Sequence, residues 1–313
     1  MAEYALRRVI AFIPFLLIAS ILVWGMIYLV PGDPVLLRLG PDATPAQIAA
    51  ERHALGLNRP IFVQYILWLK GIVHGDFGHS ISNGASVITL ISNSFPVTAY
   101  LALTGLVVAV VLGTILGVVA ALRPDRLVAK FVSGYASLAL AIPTFWVGML
   151  LVWLFAITLR VLPSSGYVSP LSSPTAYLRH MVLPAITLGF YGSGIVARFV
   201  FAAMRETLTQ DYLWTARAKG VAEHTVVRRH GLRNALIPVT TVLGLQFGLL
   251  LGGAVIIESV FNLPGMGRLL LDAVTRRDYS VVQGEVLLIV VAIGLVNLTV
   301  DLLYGVLDPR IRR

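Results

Sequence analysis

VTAYLALTGLVVAVVLGTILGVVAA, residues 97–121, holds no charged side chain and no proline. About 20 apolar residues in a helix cross the hydrocarbon core of a bilayer, so this stretch is long enough to span by itself. Five more windows pass the same test: 9–30, 132–159, 181–204, 235–257 and 286–306. Together they predict an all-α polytopic membrane protein with six transmembrane helices. The composition agrees, with 12% charged and 58% hydrophobic residues where a soluble domain keeps about a quarter charged. Mean hydropathy is +0.86. The first window follows Arg7 and Arg8 as a signal peptide would. It is longer than a typical signal core, however, and VPGDP (30–34) follows it instead of a small-residue cleavage site, which predicts an uncleaved span.

The net charge of +9 is read first as topology, because basic residues gather on the cytoplasmic side of spans. With both termini inside, the inner segments carry Arg7 and Arg8, then Arg123, Arg126 and Lys130, then the run from Arg205 to Arg233, and finally Arg310, Arg312 and Arg313. The outer segments spread Arg38, Arg52, Arg59, Lys70, Arg160, Arg179, Arg268, Arg276 and Arg277 over a longer length. This predicts an N-in/C-in orientation and accounts for the basic excess without nucleic acid. With no cysteine in the chain, disulfides and thiolate chemistry are excluded.

Residues 31–96 form the long outer segment. Within it, Thr44-Pro45-Ala46-Gln47 combines an N-cap, a first-turn proline and a capping-box glutamine, with Gly56 as a stop, and predicts a short helix. PIFVQYILWLKGIV from Pro60 is too short to span and predicts an element at the membrane interface or on the outer ends of the spans. Gly113 with Gly117, and Gly244 with Gly248 and Gly252, recur at helical spacing, which predicts close helix packing. Pro184, Gly189, Gly192 and Gly194 mark a candidate kink in the fourth span.

Catalytic chemistry is missing. No metal-ligand spacing is present, and the histidines at 53, 74, 79, 180, 224 and 230 are scattered over loops and ends. Ser193 in YGSG lacks the glycines of a nucleophile elbow and reads as a packing serine. Arg198, Glu258 and Asp301 fall near span ends, where Asn297 and Asp301, one turn apart, can pair. Nothing resembles a proton relay or the repeated half-sets of a secondary transporter. The lysines, Lys70, Lys130 and Lys219, precede Gly, Phe and Gly, so the chain lacks a phosphate-binding loop and is not itself a P-loop ATPase.

One segment remains unexplained: YLWTARAKGVAEHTVVRRHGLRNALIP, residues 212–238, a basic stretch within the inner loop 205–233. Its first part can extend a helix, Gly220 interrupts it, and AEHTVVRRH can form a second short helix with Val226 and Val227 on one flank and charges on the other. Such a helix–glycine–helix suits either a cytoplasmic partner or the anionic membrane surface.

The segment resembles the cytoplasmic loop of ABC importer permeases, whose pattern is E-A-A, three residues, Gly, nine residues, then I-x-L-P. Gly220 stands at the glycine, Trp214-Thr215-Ala216 at E-A-A, and His230-Gly231-Leu232-Arg233 at the last four positions. TARAKG and RHGLRNALIP are closer to the dipeptide, oligopeptide and nickel branch, and specifically to its first permease subunit. IYLVPGDP, LGLNRPIFVQYILWL, GDFGHS, FNLPGMGRLLLDAVTRRDYSVVQG and LDPRIR resemble the same subunit in the same order. The resemblance implies the ABC importer transmembrane fold over 1–313 in a bacterial inner membrane. It also implies import of peptides or similar small solutes, with no enzymatic activity and no cofactor of this chain's own. The implied partners are a second homologous permease, two cytoplasmic ATPase subunits carrying ATP and Mg, and an extracytoplasmic solute-binding protein, with lipid around them. By position, Thr215, Ala216, Lys219, Gly220, Glu223, His224, Arg228, Arg229 and His230 fall in the loop's ATPase-docking surface. Residues 31–96 would help to receive the binding protein. An ion-coupled secondary carrier or channel acting alone is the alternative.

Overall fold

The computed structural model describes residues 2–29, 34–39, 42–54, 56–124 and 127–307. The Asp301 side chain, and with it the expected pair to Asn297, lies outside the described residues, as do 308–313 and most of VPGDP. In chain order the helices are α1 (Ala2–Gly25), α2 (Pro34–Leu39), α3 (Pro45–Ala54), α4 (Ile61–Val73), α5 (Val87–Leu122), α6 (Leu127–Ala141) and α7 (Thr144–Leu151), followed by α8 (Pro174–Leu208), α9 (Asp211–Ala218), α10 (Glu223–Thr225), α11 (Arg233–Phe261), α12 (Met266–Thr275) and α13 (Tyr279–Leu307). Among the described residues four helices are long and apolar enough to cross a membrane unbroken, and up to six spans result if each of two bent helix pairs counts as one.

The chain divides into two compact units. The first is formed by Val97–Pro264 and Thr299–Arg313. Its central element is α8, opened by Ser173 as N-cap and Pro174 in the first turn. A Cβ on Gly113 would fall 2.5 Å from Val196 Cβ, one on Gly117 2.8 Å from Ala197 O, and one on Gly189 2.6 Å from Gly105 O, so backbone meets backbone where α5 crosses α8. On another face, a Cβ on Gly194 would fall 2.8 Å from Ala139 of α6. Lipid is as apolar as a leucine side chain, so such pairs are held by dispersion and close approach rather than by release of water. Glycine is what makes the approach possible. Of the other glycines expected to pack, Gly244 meets Val300, whereas Gly252 has nothing within 4 Å. Helix α8 runs unbroken through Pro184.

Two polar pairs sit in this unit. Glu258 of α11 is fully buried and accepts a hydrogen bond from Thr98 Oγ1 of α5. Ser193 donates to Phe190 O at 2.7 Å and lies 2.6 Å from Tyr135 Oη, the packing role expected of it.

The third apolar window, expected as one span, is not a single helix. Leu127–Ala141 and Thr144–Thr158 meet at 105°, because Pro143 lacks an N–H and disfavours helical backbone at Ile142. Past α7 the chain widens into a π turn, Val152–Thr158. The second window also differs, since α5 begins at Val87 and carries Ser92, Asn93, Ser94 and Pro96 inside it. The fifth ends at Phe261, where Asn262 adopts a left-handed φ of 53° and Leu263 N–H closes on Glu258 O.

The second unit is formed by Ala2–Pro96 and Gly265–Leu298. The face of α1 bearing Leu6, Ile10, Leu17, Ile18 and Leu22 is exposed, as a lipid-facing span requires. Helix α13 packs on α1 at Gly294, where a Cβ would lie 2.5 Å from Phe12. Gln283 Nε2 donates to Trp24 O at 3.1 Å. The short helix after Thr44 forms as expected, with Thr44 N–H donating to Gln47 Oε1 at 2.9 Å and Gln47 N–H to Thr44 Oγ1 at 3.4 Å. Helix α4 forms from Ile61 and buries none of its residues. Ahead of α5, Asp278 gathers Ser80 Oγ, Ile81 N–H at 3.1 Å, and Ser82 N–H at 3.2 Å with its Oγ at 3.0 Å. Burial raises the Asp278 carboxyl's pKa, but these four donors outweigh it and hold the group below its ordinary value.

Candidate functional site

The basic segment is far more ordered than a connecting loop. Helix α8 ends at Leu208, and Thr209 closes it with Oγ1 on Glu206 O at 2.8 Å. Helix α9 then starts with Asp211 in its first turn, where the helix dipole favours an acid. It ends around Gly220, at φ 78°, with Gly220 N–H on Arg217 O at 2.9 Å and Val221 N–H on Ala216 O at 3.2 Å. No atom lies within 4 Å of a Cβ built on Gly220. The glycine is therefore required by the left-handed backbone and not by crowding.

After Ala222 the chain turns back into a helix. The expected second short helix is not separate: α10 passes into a π turn, Val226–Leu232, and this continues without a break into α11. The physical cause is anchoring. Val226 and Gly231 are buried, and the partly buried Val227 and Leu232 pack with Met204, Val200 and Ala235 at the ends of α8 and α11.

Three further contacts fix α9 against this base. Leu213 is fully buried. Tyr212 Oη donates to His230 O at 3.3 Å and accepts from Asn234 Nδ2 at 2.8 Å. Arg217 grips Glu223 through two bonds, Nε to Oε2 at 3.0 Å and Nη2 to Oε1 at 2.9 Å. These shared hydrogen bonds hold the Glu223 carboxyl below its ordinary pKa and raise that of the Arg217 guanidinium. The guanidinium also lies 5.3 Å from the Trp214 ring centroid.

Most of the residues assigned from the sequence face outward. Thr215, Lys219, Gly220, Glu223, His224, Arg228 and Arg229 are exposed, and Ala216 and His230 are half-buried. All nine sequence-assigned residues are thus gathered on one helix–turn–helix. Glu223 is already engaged by Arg217, so its first role is internal. Sequence reading missed Arg217, Tyr212 and Asn234, which build the turn, and Trp214, a tryptophan left 62% exposed. The available signal for the first was an acid and a base three residues to either side of Gly220. Among the described residues no cluster of metal-ligating side chains occurs.

Comparison with known proteins gives consistent matches. Residues 113–313 match the family described as binding-protein-dependent transport system inner membrane component, and residues 1–102 match the N-terminal family of the same membrane components. The chain is 42% identical over 312 residues to the glutathione transport system permease protein GsiC of Salmonella typhimurium (strain LT2), covering 100% of this chain and 99% of that protein. The GsiC of Escherichia coli (strain K12) gives the same identity and coverage. Among solved structures, an amino acid ABC transporter crystallised with histidines matches with a TM-score of 0.49 at 16% identity, over 71% of this chain and 94% of that one.

Proposed function

The chain belongs to the family of binding-protein-dependent transport system inner membrane components, and from that premise we propose that it forms half of a translocation path importing di- or oligopeptides or similar small solutes. It is a multi-pass inner-membrane permease, a transporter component and not an enzyme, and its family works with ATPase and binding-protein partners. In the proposed assembly a second homologous permease completes the path. Two ATPase subunits holding ATP and Mg bind from the cytoplasm, and one solute-binding protein docks outside, over residues 31–96. Both termini and the loop 205–233 are then cytoplasmic.

One observation carries the coupling role. The loop presents a set of exposed polar side chains, its turn bridged by the Arg217–Glu223 pair and its first helix seated by the buried Leu213, and its second half is continuous with α11. A face pushed by a partner would therefore move a span. The peptide class is supported by the names of the relatives, which make glutathione the first solute to try.

The lack of cysteine permits a direct test. Lys219→Cys and His224→Cys place single thiols on the face, to be joined by a short thiol-directed photo-crosslinker in membranes carrying the whole complex. Adducts to the ATPase are expected at both positions. Equal labelling with and without the ATPase, with no adduct, would sink the docking assignment. ATP-loaded vesicles carrying the complex, supplied with binding protein and glutathione, a dipeptide or a pentapeptide in turn, test the solute class. No uptake of any of the three would overturn it.

A further inference from the structure

In the first unit, beside the crossing of α5, α6 and α8, lies a cavity of about 440 Å³ that the coupling reading does not use. Its floor is apolar, formed by a small buried cluster of Ala120, Val132 and Ala197 with Phe201 packed against it. Lys130 from the first turns of α6 and Arg198 from α8 reach its lining, as does Ser133 of α6. Both cations are exposed, and neither has an ion-pair partner among the described residues. Among the described residues no carboxylate lines the cavity. A third cation stands close, since the Arg205 guanidinium lies 6.0 Å from the Phe201 ring centroid.

We propose that this cavity is a binding site for an anionic phospholipid, with the headgroup held by Lys130 and Arg198 and the start of an acyl chain against the Ala197–Phe201 floor. The charge fits a single anionic group, with Ser133 as an additional neutral donor. The apolar half identifies an amphiphile. A soluble phosphate has no use for the floor, and Leu127 and Phe131, beside the lining residues Ala129, Lys130 and Val132 in sequence, are 82% and 71% exposed. Basic pockets between spans near the membrane surface hold such headgroups. The site stands on these side chains alone. Its placement in the cytoplasmic leaflet rests on the proposed orientation, because Arg198 lies on α8 toward the end that leads into the loop 205–233.

The test uses the full chain with its partner subunits, purified in mild detergent and exchanged into nanodiscs of phosphatidylcholine doped with phosphatidylglycerol. Bound lipid is counted by native mass spectrometry. Phosphatidylglycerol should be enriched over its bulk fraction. Lys130→Gln with Arg198→Gln should reduce that enrichment by about fivefold for each cation lost, while Lys130→Arg with Arg198→Lys keeps it. Undiminished enrichment in the Gln pair would overturn the proposal. So would displacement of the lipid by millimolar glycerol phosphate, which would mark a site for a soluble anion. Loss of the second permease from the Gln pair would also overturn it, by showing the cavity to be a subunit contact. Co-purification of the ATPase is read in the same spectra, so failure of the coupling assignment is seen separately from failure of the lipid site.

Discussion

Replacing Gly220 by Ala and by Trp separates two effects that the loop otherwise combines. The backbone there has φ 78°, a conformation that costs a side-chain-bearing residue roughly 1–2 kcal/mol. That exceeds the roughly 0.2–1 kcal/mol expected of an exposed ion pair such as Arg217–Glu223. The turn should therefore open more often, by about 5- to 30-fold. Hydrogen exchange across 219–223 reads that opening. Because no atom lies within 4 Å of the Cβ position, Ala adds strain and nothing else, and Trp adds strain plus a ring in space that this chain leaves empty. If an ATPase fills that space, uptake per ATP hydrolysed in vesicles should fall modestly in Gly220→Ala and collapse in Gly220→Trp, with similar exchange rates in both. Gly220→Asn, which tolerates the left-handed region, should lie closest to the natural protein. Equal uptake per ATP in the Ala and Trp variants would refute the argument, since no partner would then be packing on Gly220.

Three more outcomes follow from the packing. Gly113→Leu or Gly117→Leu should prevent stable accumulation in the membrane, because a Cβ alone would sit 2.5 Å and 2.8 Å from atoms of α8, whereas Gly252→Ala, with open space around it, should express normally. Thr98→Val removes a donor to the buried Glu258 and should cost about 1–3 kcal/mol, read as a lower unfolding temperature in detergent; an unchanged temperature would refute the role given to that bond. Asp278 has a folded pKa depressed from its ordinary 3.8, so its stabilisation is complete above that value and is lost as pH falls through the lower, folded one. Protection of amides 80–82, taken from exchange rates corrected for their intrinsic pH dependence, should fall on that descent and hold steady in Asp278→Asn; the same acid loss of protection in the variant would assign it to another group.

The spans, the short helix at Thr44 and the basic loop were legible because each is a local signal: apolar length, a capping box, charge between apolar runs. The departures have physical causes. Hydropathy averaged over 132–159 registers the apolarity of Ile142 and Pro143 but not that the chain cannot continue straight through them. Ser92, Asn93 and Ser94 lowered the score before 97, yet a helix satisfies its own backbone and accepts them. Spacing alone could not tell Gly113, with α8 against it, from Gly252, with open space, since the difference lies in residues far along the chain. For the same reason the Arg217–Glu223 grip was missed. It is not a helical neighbour pair, and it forms only once Gly220 has turned the chain.

The bond from Gln283 to Trp24 joins residues 259 positions apart. During synthesis at about 5–20 residues per second, the first span is in place for ~10–50 s before the helix that completes its packing has been made. Its exposed face of Leu6, Ile10, Leu17, Ile18 and Leu22 lets α1 rest in lipid through that interval. Assembly of the second unit therefore waits on the synthesis of α13, whose Gln283 lies 259 residues downstream of Trp24.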